Sequence, residues 1–152
     1  MIIIRPAREE DLPRIRQLIN KVRINPLGLD WSRFILAVTN EDELVGCGQI
    51  KPYKDGSREL ASIAVDDAWR NQGIASCIIE QLIASHPGDL YLTCRSRLGE
   101  FYEKFGFKSI SEDEMPSYFH RINRLARIFG RTGLIPLDLL VMKRIADSTQ
   151  ER

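Results

Sequence analysis

The chain has 152 residues, 43% of them hydrophobic and 28% charged, with a formal net charge of +1. Such a length and balance suit a folded domain with its own core and exclude a chain disordered throughout. The near-zero charge lacks the basic excess of a nucleic-acid binder, and no apolar run approaches the ~20 residues that span a bilayer.

Ile2 to Arg5 is a short β-branched run ended by Pro6, which reads as a strand. Six residues are too few for a secretion signal. Glu9-Glu10-Asp11 then places acid in a first helical turn, followed by Leu12, Ile15, Leu18, Ile19 and Val22 at helical spacing. Asn25-Pro26-Leu27-Gly28 breaks that helix. Phe34 to Val38 and Leu44 to Ile50 are strands, and Gly46 and Gly48 in the second mark a bulge or a close backbone approach. Asp55-Gly56 is a hairpin signal, and Glu59 to Val65 follows as the third strand of an antiparallel meander.

Gly73 to Ser85 reads as a buried helix, with Ile74, Cys77, Ile78, Ile79, Leu82 and Ile83 forming a wide apolar stripe. Leu90 to Cys94 is a strand, Ser96 caps a helix from Arg97 to Phe105, and Gly106 terminates it. Phe107 to Ile110 begins another strand. An acidic loop, Ser111 to Pro116, precedes a helix over Tyr118 to Phe129. Leu137 to Met142 forms a final strand, and residues 148–152 are a polar tail. The expectation is one domain over residues 1–147, α+β or mixed α/β, around a mostly antiparallel sheet.

Cys47, Cys77 and Cys94 are odd in number and widely spaced. That argues against a disulfide framework and against a zinc or other metal site. Reduced thiols packed as small apolar residues are expected, in a soluble cytoplasmic protein.

The richest signal is Asp66 to Ala75, between a strand and a buried helix. A helix N-terminus carries unpaired amides and a positive dipole end. Gly73 lets a phosphate approach the backbone, and Arg70 adds a positive charge. The spacing is neither a dinucleotide fingerprint nor a Walker loop. On these residues alone, a pyrophosphate site and a plain strand-turn-helix with a solvated arginine are both open.

Arg70-Asn71-Gln72-Gly73-Ile74-Ala75 resembles the Q/R-x-x-G-x-G/A motif of the GCN5-related N-acetyltransferases (GNAT), and Tyr102-Glu103-Lys104-Phe105-Gly106-Phe107 resembles that family's distal tyrosine segment. Ile4-Arg5-Pro6-Ala7 with Asp11 is also similar to the family's start. The resemblance implies a twisted sheet with helices around it, its fourth and fifth strands splayed, here Arg58–Val65 and Leu90–Cys94. It implies acetyl-CoA as co-substrate: the pantetheine arm would pair with backbone near Ile63, Ala64 and Val65 like an added strand. The pyrophosphate would sit on the amides from Arg70 to Ala75, including Asn71, Gln72, Gly73 and Ile74, with the Ser76 hydroxyl nearby.

The resemblance further implies acetyl transfer to a primary amine by direct attack in a ternary complex. Tyr102 is the candidate acid facing the coenzyme sulfur, or a packed aromatic in the stripe Leu98, Phe101, Tyr102 and Phe105, or both. Glu59 is the candidate base, or a glutamate paired with Arg58 or Lys51. On a regular strand it shares a face with Ala61, Ile63 and Val65, where burial would raise its pKa. The family often has asparagine where this chain has Arg95, and a small residue where it has Leu98. Arg95 would meet a phosphate, an acidic acceptor or solvent. Cys94 as an acetylated nucleophile has no identifiable histidine partner, and a buried strand thiol is the better reading.

Two segments would flank the acceptor. In the first, Trp31 and Phe34 would line a pocket or close the core, and Asp30 would attract a cationic amine. In the second, Tyr118, Ile122, Leu125, Ala126 and Phe129 share a helix face, with Arg121, Arg124, Arg127 and Arg131 largely apart. That helix would be a solvated face over a packed one, a lid, a homodimer contact or a dock for an acidic surface, with the Glu112-Asp113-Glu114 loop available to pair with its arginines. The acceptor would be a small molecule or peptide, or a protein lysine or N-terminus. A non-catalytic acetyl-CoA sensor is a further reading. No nucleic-acid or membrane partner is expected.

Overall fold

In a computed structural model the described residues are 1–130 and 138–147. They form strands β1 (Ile2–Pro6), β2 (Phe34–Thr39), β3 (Leu44–Pro52), β4 (Arg58–Val65), β5 (Leu90–Arg95), β6 (Lys108–Ser109) and β7 (Leu139–Arg144). Helices are α1 (Leu12–Lys21), α2 (Ile74–Ala84), α3 (Gly99–Glu103) and α4 (Ser117–Phe129). The sheet order is β1-β2-β3-β4-β5-β7-β6. β1–β2, β2–β3, β5–β7 and β6–β7 pair antiparallel, whereas β4 and β5 are parallel. The expected mixed α/β, mostly antiparallel sheet is therefore present. The β4–β5 ladder holds one register pair, Glu59 with Tyr91, near the start of each strand.

Two compact units divide the chain, Met1–Lys51 with Leu60–His86, and Pro52–Glu59 with Pro87–Arg152. In the first, the expected acidic first turn, Glu9–Asp11, is a separate 3-10 turn, and α1 begins after it at Leu12 with Pro13; its buried Ile15, Leu18 and Ile19 pack on Phe34, Leu36, Val38, Cys47 and Ala64. Each such side chain contributes roughly 1.5–3 kcal/mol of burial. Asp11, 1% exposed, sits beneath that helix. It accepts from Arg5 at 2.8 and 3.1 Å, from Arg14 at 2.5 Å and from the Arg8 amide at 2.8 Å. The Arg5 hydrogen bond leads the effects that hold its carboxyl well below the usual carboxylate range, against the opposing cost of burial.

Both readings of the β3 glycines hold. The β2–β3 register slips between Ala37 and Val38, which face Gly46 and Leu44. A Cβ on Gly48 would lie 2.6 Å from Ile63 Cδ1 and 2.8 Å from Ile78 Cγ2, and one on Gly46 would lie 2.9 Å from Ile74 Cγ2. α2 therefore packs directly on bare backbone of β3. Its stripe is narrower than expected: Ile74, Ile78, Ile79 and Leu82 are buried, but Cys77 is exposed because it turns away from them.

In the second unit, the expected helix 97–105 is shorter. Ser96–Leu98 is a single 3-10 turn and α3 covers Gly99–Glu103. Ser96 does not cap it, because the Ser96 hydroxyl meets the Asp138 carboxylate at 3.1 Å and its amide donates to the Asp138 carbonyl at 2.9 Å. Gly106, at φ 92°, ends the segment as expected. The strand after it is only Lys108–Ser109, with Phe107 fully buried ahead of it. On α4, Phe119 and Ala126 are buried, while Leu125 and Phe129 are exposed, so the packed face is narrower than the sequence suggests. Arg127 and Asn123 both bind Glu112, so the acidic loop does pair with this helix. Leu137, Arg131 and the tail 148–152 lie outside the described residues. No helix among the described residues is long and apolar enough to cross a membrane.

Candidate cofactor cradle and catalytic residues

β4 ends at Val65, and a 3-10 turn, Asp67–Trp69, carries the chain toward α2. Asp66 fixes this turn by accepting from the Ala68 amide at 3.1 Å, and Lys21 closes on its carboxylate at 2.7 Å. Asn71 then adopts φ 62° and Gly73 φ 77°. Left-handed backbone at two alternate positions of a turn is the setting in which amides form anion-binding nests. The first α2 helical bond runs from the Cys77 amide to the Gly73 carbonyl, at 3.1 Å. The amides from Asn71 to Ser76 precede that bond in the chain. Asn71, Gln72 and Gly73 are exposed, Ala75 and Ser76 half-buried, and Ile74 buried as the anchor of the helix. A Cβ on Gly73 would meet nothing within 4 Å, so backbone conformation rather than crowding calls for glycine here. Arg70 is exposed and paired with Asp67 at 2.9 Å, so its charge is partly offset.

Ile63, Ala64 and Val65 close β4, with Ala64 buried in the α1 core. The regular alternation expected for this strand is interrupted. Ser62 has φ 58°, a left-handed residue inside a strand, so Glu59 and Ala61 cannot be assumed to share a face with Ile63 and Val65.

Glu59 is 7% exposed, and the Tyr53 hydroxyl donates to its Oε1 at 2.5 Å. Tyr53 stacks on Tyr118, their ring centroids 3.7 Å apart, and meets the edge of Phe119. Burial first, then the Glu59 carboxylate, push the Tyr53 phenol far above its ordinary range, so it remains a donor. Of the two readings of Glu59, the structure gives the buried carboxylate, under an aromatic roof, and not the surface glutamate. Tyr53 was not singled out from sequence, although the Asp55-Gly56 hairpin brings the strand ends on either side together.

Tyr102, on α3, packs edge-on to Phe101 and Phe107. Burial, with a smaller effect of Cys94, pushes its phenol up to about 12. The Cys94 thiol is itself buried and pushed up to about 11, which fits the strand-thiol reading. Arg95 pairs with Asp138 at 3.3 Å, a partner that only the fold supplies. On the acceptor flank, Phe34 is 2% exposed and belongs to the α1 core, not to a pocket. Trp31 is half-buried. Asp30 accepts from the Ser32 amide and hydroxyl at 3.0 and 2.6 Å, fixing the turn before β2.

A family model described as the acetyltransferase (GNAT) domain matches residues 30–109, more than half of the chain. The chain belongs to the GNAT family. This GNAT chain is 25% identical over 127 residues to an amino-acid acetyltransferase of Neisseria meningitidis serogroup A, covering 76% of this chain and 29% of the relative. Its fold matches N-acetylglutamate synthase from Neisseria gonorrhoeae, complexed with coenzyme A and L-arginine, at TM-score 0.74 and 21% identity, over 95% of this chain and 33% of the other. It also matches Rv2747 from Mycobacterium tuberculosis, a complex with CoA, at TM-score 0.71 and 20% identity, over 95% and 99% of the two chains. The GNAT chain thus spans about a third of the length of the two neisserial proteins.

Proposed function

We propose that this chain transfers an acetyl group from acetyl-CoA to a primary amine on a small, amino-acid-like or peptide acceptor. The observation that carries this is the nest at Asn71 and Gly73, opening onto amides that precede the first α2 hydrogen bond. Such a site fits a pyrophosphate without any metal. The pantetheine arm would lie along Ile63 to Val65. Membership of the GNAT family and the fold shared with CoA-bound proteins support the same ligand.

Acetyl-CoA supplies an activated thioester; the chain supplies position and protons. Tyr102 is the proposed acid. At about 12 its phenol is protonated throughout the physiological range. Full proton transfer to a thiolate of ordinary pKa near ~8.5 would cost roughly 5 kcal/mol, at ~1.4 kcal/mol per unit. Tyr102 therefore acts chiefly by hydrogen-bonding the sulfur as charge develops there. Glu59 is the proposed base, taking the amine proton through water, with Tyr53 holding its carboxylate in place. The neisserial relatives, an amino-acid acetyltransferase and an N-acetylglutamate synthase, support an amino-acid-like acceptor.

Melting curves with acetyl-CoA, then thiol release with pools of amino acids, amines, polyamines and peptides, test the reading. Stabilisation followed by turnover with an amine pool is expected. No stabilisation by any acyl-CoA would sink the proposal. Stabilisation with no turnover, unchanged by Tyr102→Phe, would make the chain a coenzyme-binding module.

A further inference from the structure

Gln49 is a fully buried polar residue on β3, at an alternate position between Cys47 and Lys51. Its Nε2 donates to Ser62 Oγ at 2.8 Å and to the Gly28 carbonyl at 3.3 Å. The Gly28 carbonyl can only accept, which fixes the orientation of the amide. Both ends of this bridge are left-handed residues, Ser62 at φ 58° and Gly28 at φ 68°. For serine such a backbone is strained and persists only where its surroundings enforce it. A second tether on each side reinforces the bridge. Cys47 Sγ meets the Ser62 carbonyl at 3.5 Å, and Lys51 Nζ donates to the Leu27 carbonyl at 2.9 Å. Gln49 Oε1 is buried with no hydrogen-bond partner among the described residues. A buried unsatisfied acceptor is costly, and an apolar side chain of the same shape would avoid that cost.

We infer that Gln49 is a positioning residue that couples the coenzyme strand β4 to the loop 25–30. It rests on the reading of Ile63–Val65 as the pantetheine-binding edge. Ser62 stands one residue before that edge, so an arm added along β4 acts on its backbone. One amide group holds both Ser62 and Gly28, so a shift at the first is passed to the second. Filling of the coenzyme site thereby orders the loop that leads into Trp31.

Hydrogen exchange of the full chain, with and without coenzyme A, tests this through peptides covering 24–30 and 60–66. In the wild type, coenzyme A should slow exchange in both segments, by ~3-fold or more. In Gln49→Met the β4 effect should remain and the loop effect should vanish. A purely structural Gln49 would alter exchange equally with and without the coenzyme. Ser62→Ala removes only the hydroxyl end of the bridge and should give the same uncoupling, which keeps the test sound if Gln49→Met folds poorly. Loop protection that survives in either folded variant overturns the inference, as does a wild type in which β4 is protected and the loop is not. Protection of neither segment would show that the coenzyme reading itself is wrong, and the coupling falls with it.

Discussion

Replacing Gly73 by aspartate and, separately, by asparagine tests, through charge alone, the proposal that a pyrophosphate sits at the head of α2. The residue has φ 77° and open space where a Cβ would go, so both side chains carry the same backbone cost and neither meets protein atoms at its Cβ. Asparagine and aspartate have nearly the same shape and tolerate left-handed backbone about equally, at ~1 kcal/mol or less relative to glycine. Their melting temperatures without ligand should therefore agree. They differ by one negative charge a few ångströms from the nest. At ~6 Å, one phosphate charge repels the aspartate by ~0.7 kcal/mol in bulk water and ~3 kcal/mol at an effective dielectric of ~20. The aspartate variant should then bind coenzyme A about 3- to 150-fold more weakly than the asparagine variant. Titration calorimetry at low salt measures that ratio, and raising the ionic strength should shrink it. If the two folded variants bind coenzyme A within twofold of each other, the pyrophosphate does not sit at this loop.

Gly48→Ala should lower stability by ~1–3 kcal/mol, because its Cβ would crowd Ile63 and Ile78. At roughly 2–4 °C per kcal/mol, calorimetry should show a clear fall in melting temperature, and a shift under ~1 °C would mean that α2 is not pressed on β3. Asp11→Asn should cost ~3 kcal/mol at neutral pH by leaving Arg5 and Arg14 short of their shared carboxylate. The folded-state pKa of Asp11 lies below the ordinary carboxyl value of 3.8, so its contribution is full above that pH and is lost as pH falls toward the folded value. Urea titrations from pH 7 down to pH 2 should find the wild type losing more stability than Asp11→Asn below about pH 4; parallel losses would refute the role. Tyr102→Phe should reduce kcat by ~10²-fold or more while the Kd for coenzyme A stays within twofold, and an unchanged kcat would remove Tyr102 from the chemistry.

The elements that position the cradle were legible because each has a local cause. The β3 glycines announced a close approach, Asp55-Gly56 a hairpin, and the Arg70–Ala75 run a loop at a helix start. What sequence did not reveal depends on partners remote in the chain. Ser96 reads as a cap until Asp138 takes its hydroxyl, 42 positions away. Ser62 carries no mark of its left-handed backbone, because serine does not favour it. The enforcing groups are Gln49 and Cys47 on the neighbouring strand. Phe34 suits a pocket wall as well as a core, and only the position of α1 decides for the core. Glu59 was singled out, but the Tyr53 hydroxyl that holds it was not.

The three thiols of this chain are unequal reagents. Burial pushes the Cys47 thiol up to about 12 and the Cys94 thiol up to about 11, which leaves almost no nucleophilic thiolate at neutral pH. Cys77 is exposed on α2, its amide bonded to the Gly73 carbonyl. A disulfide reagent that counts coenzyme thiol released by turnover will therefore also count one fast protein sulfur per chain. The same thiol, one turn past Gly73, offers a single attachment point for a fluorophore that would test whether coenzyme A fills the proposed site.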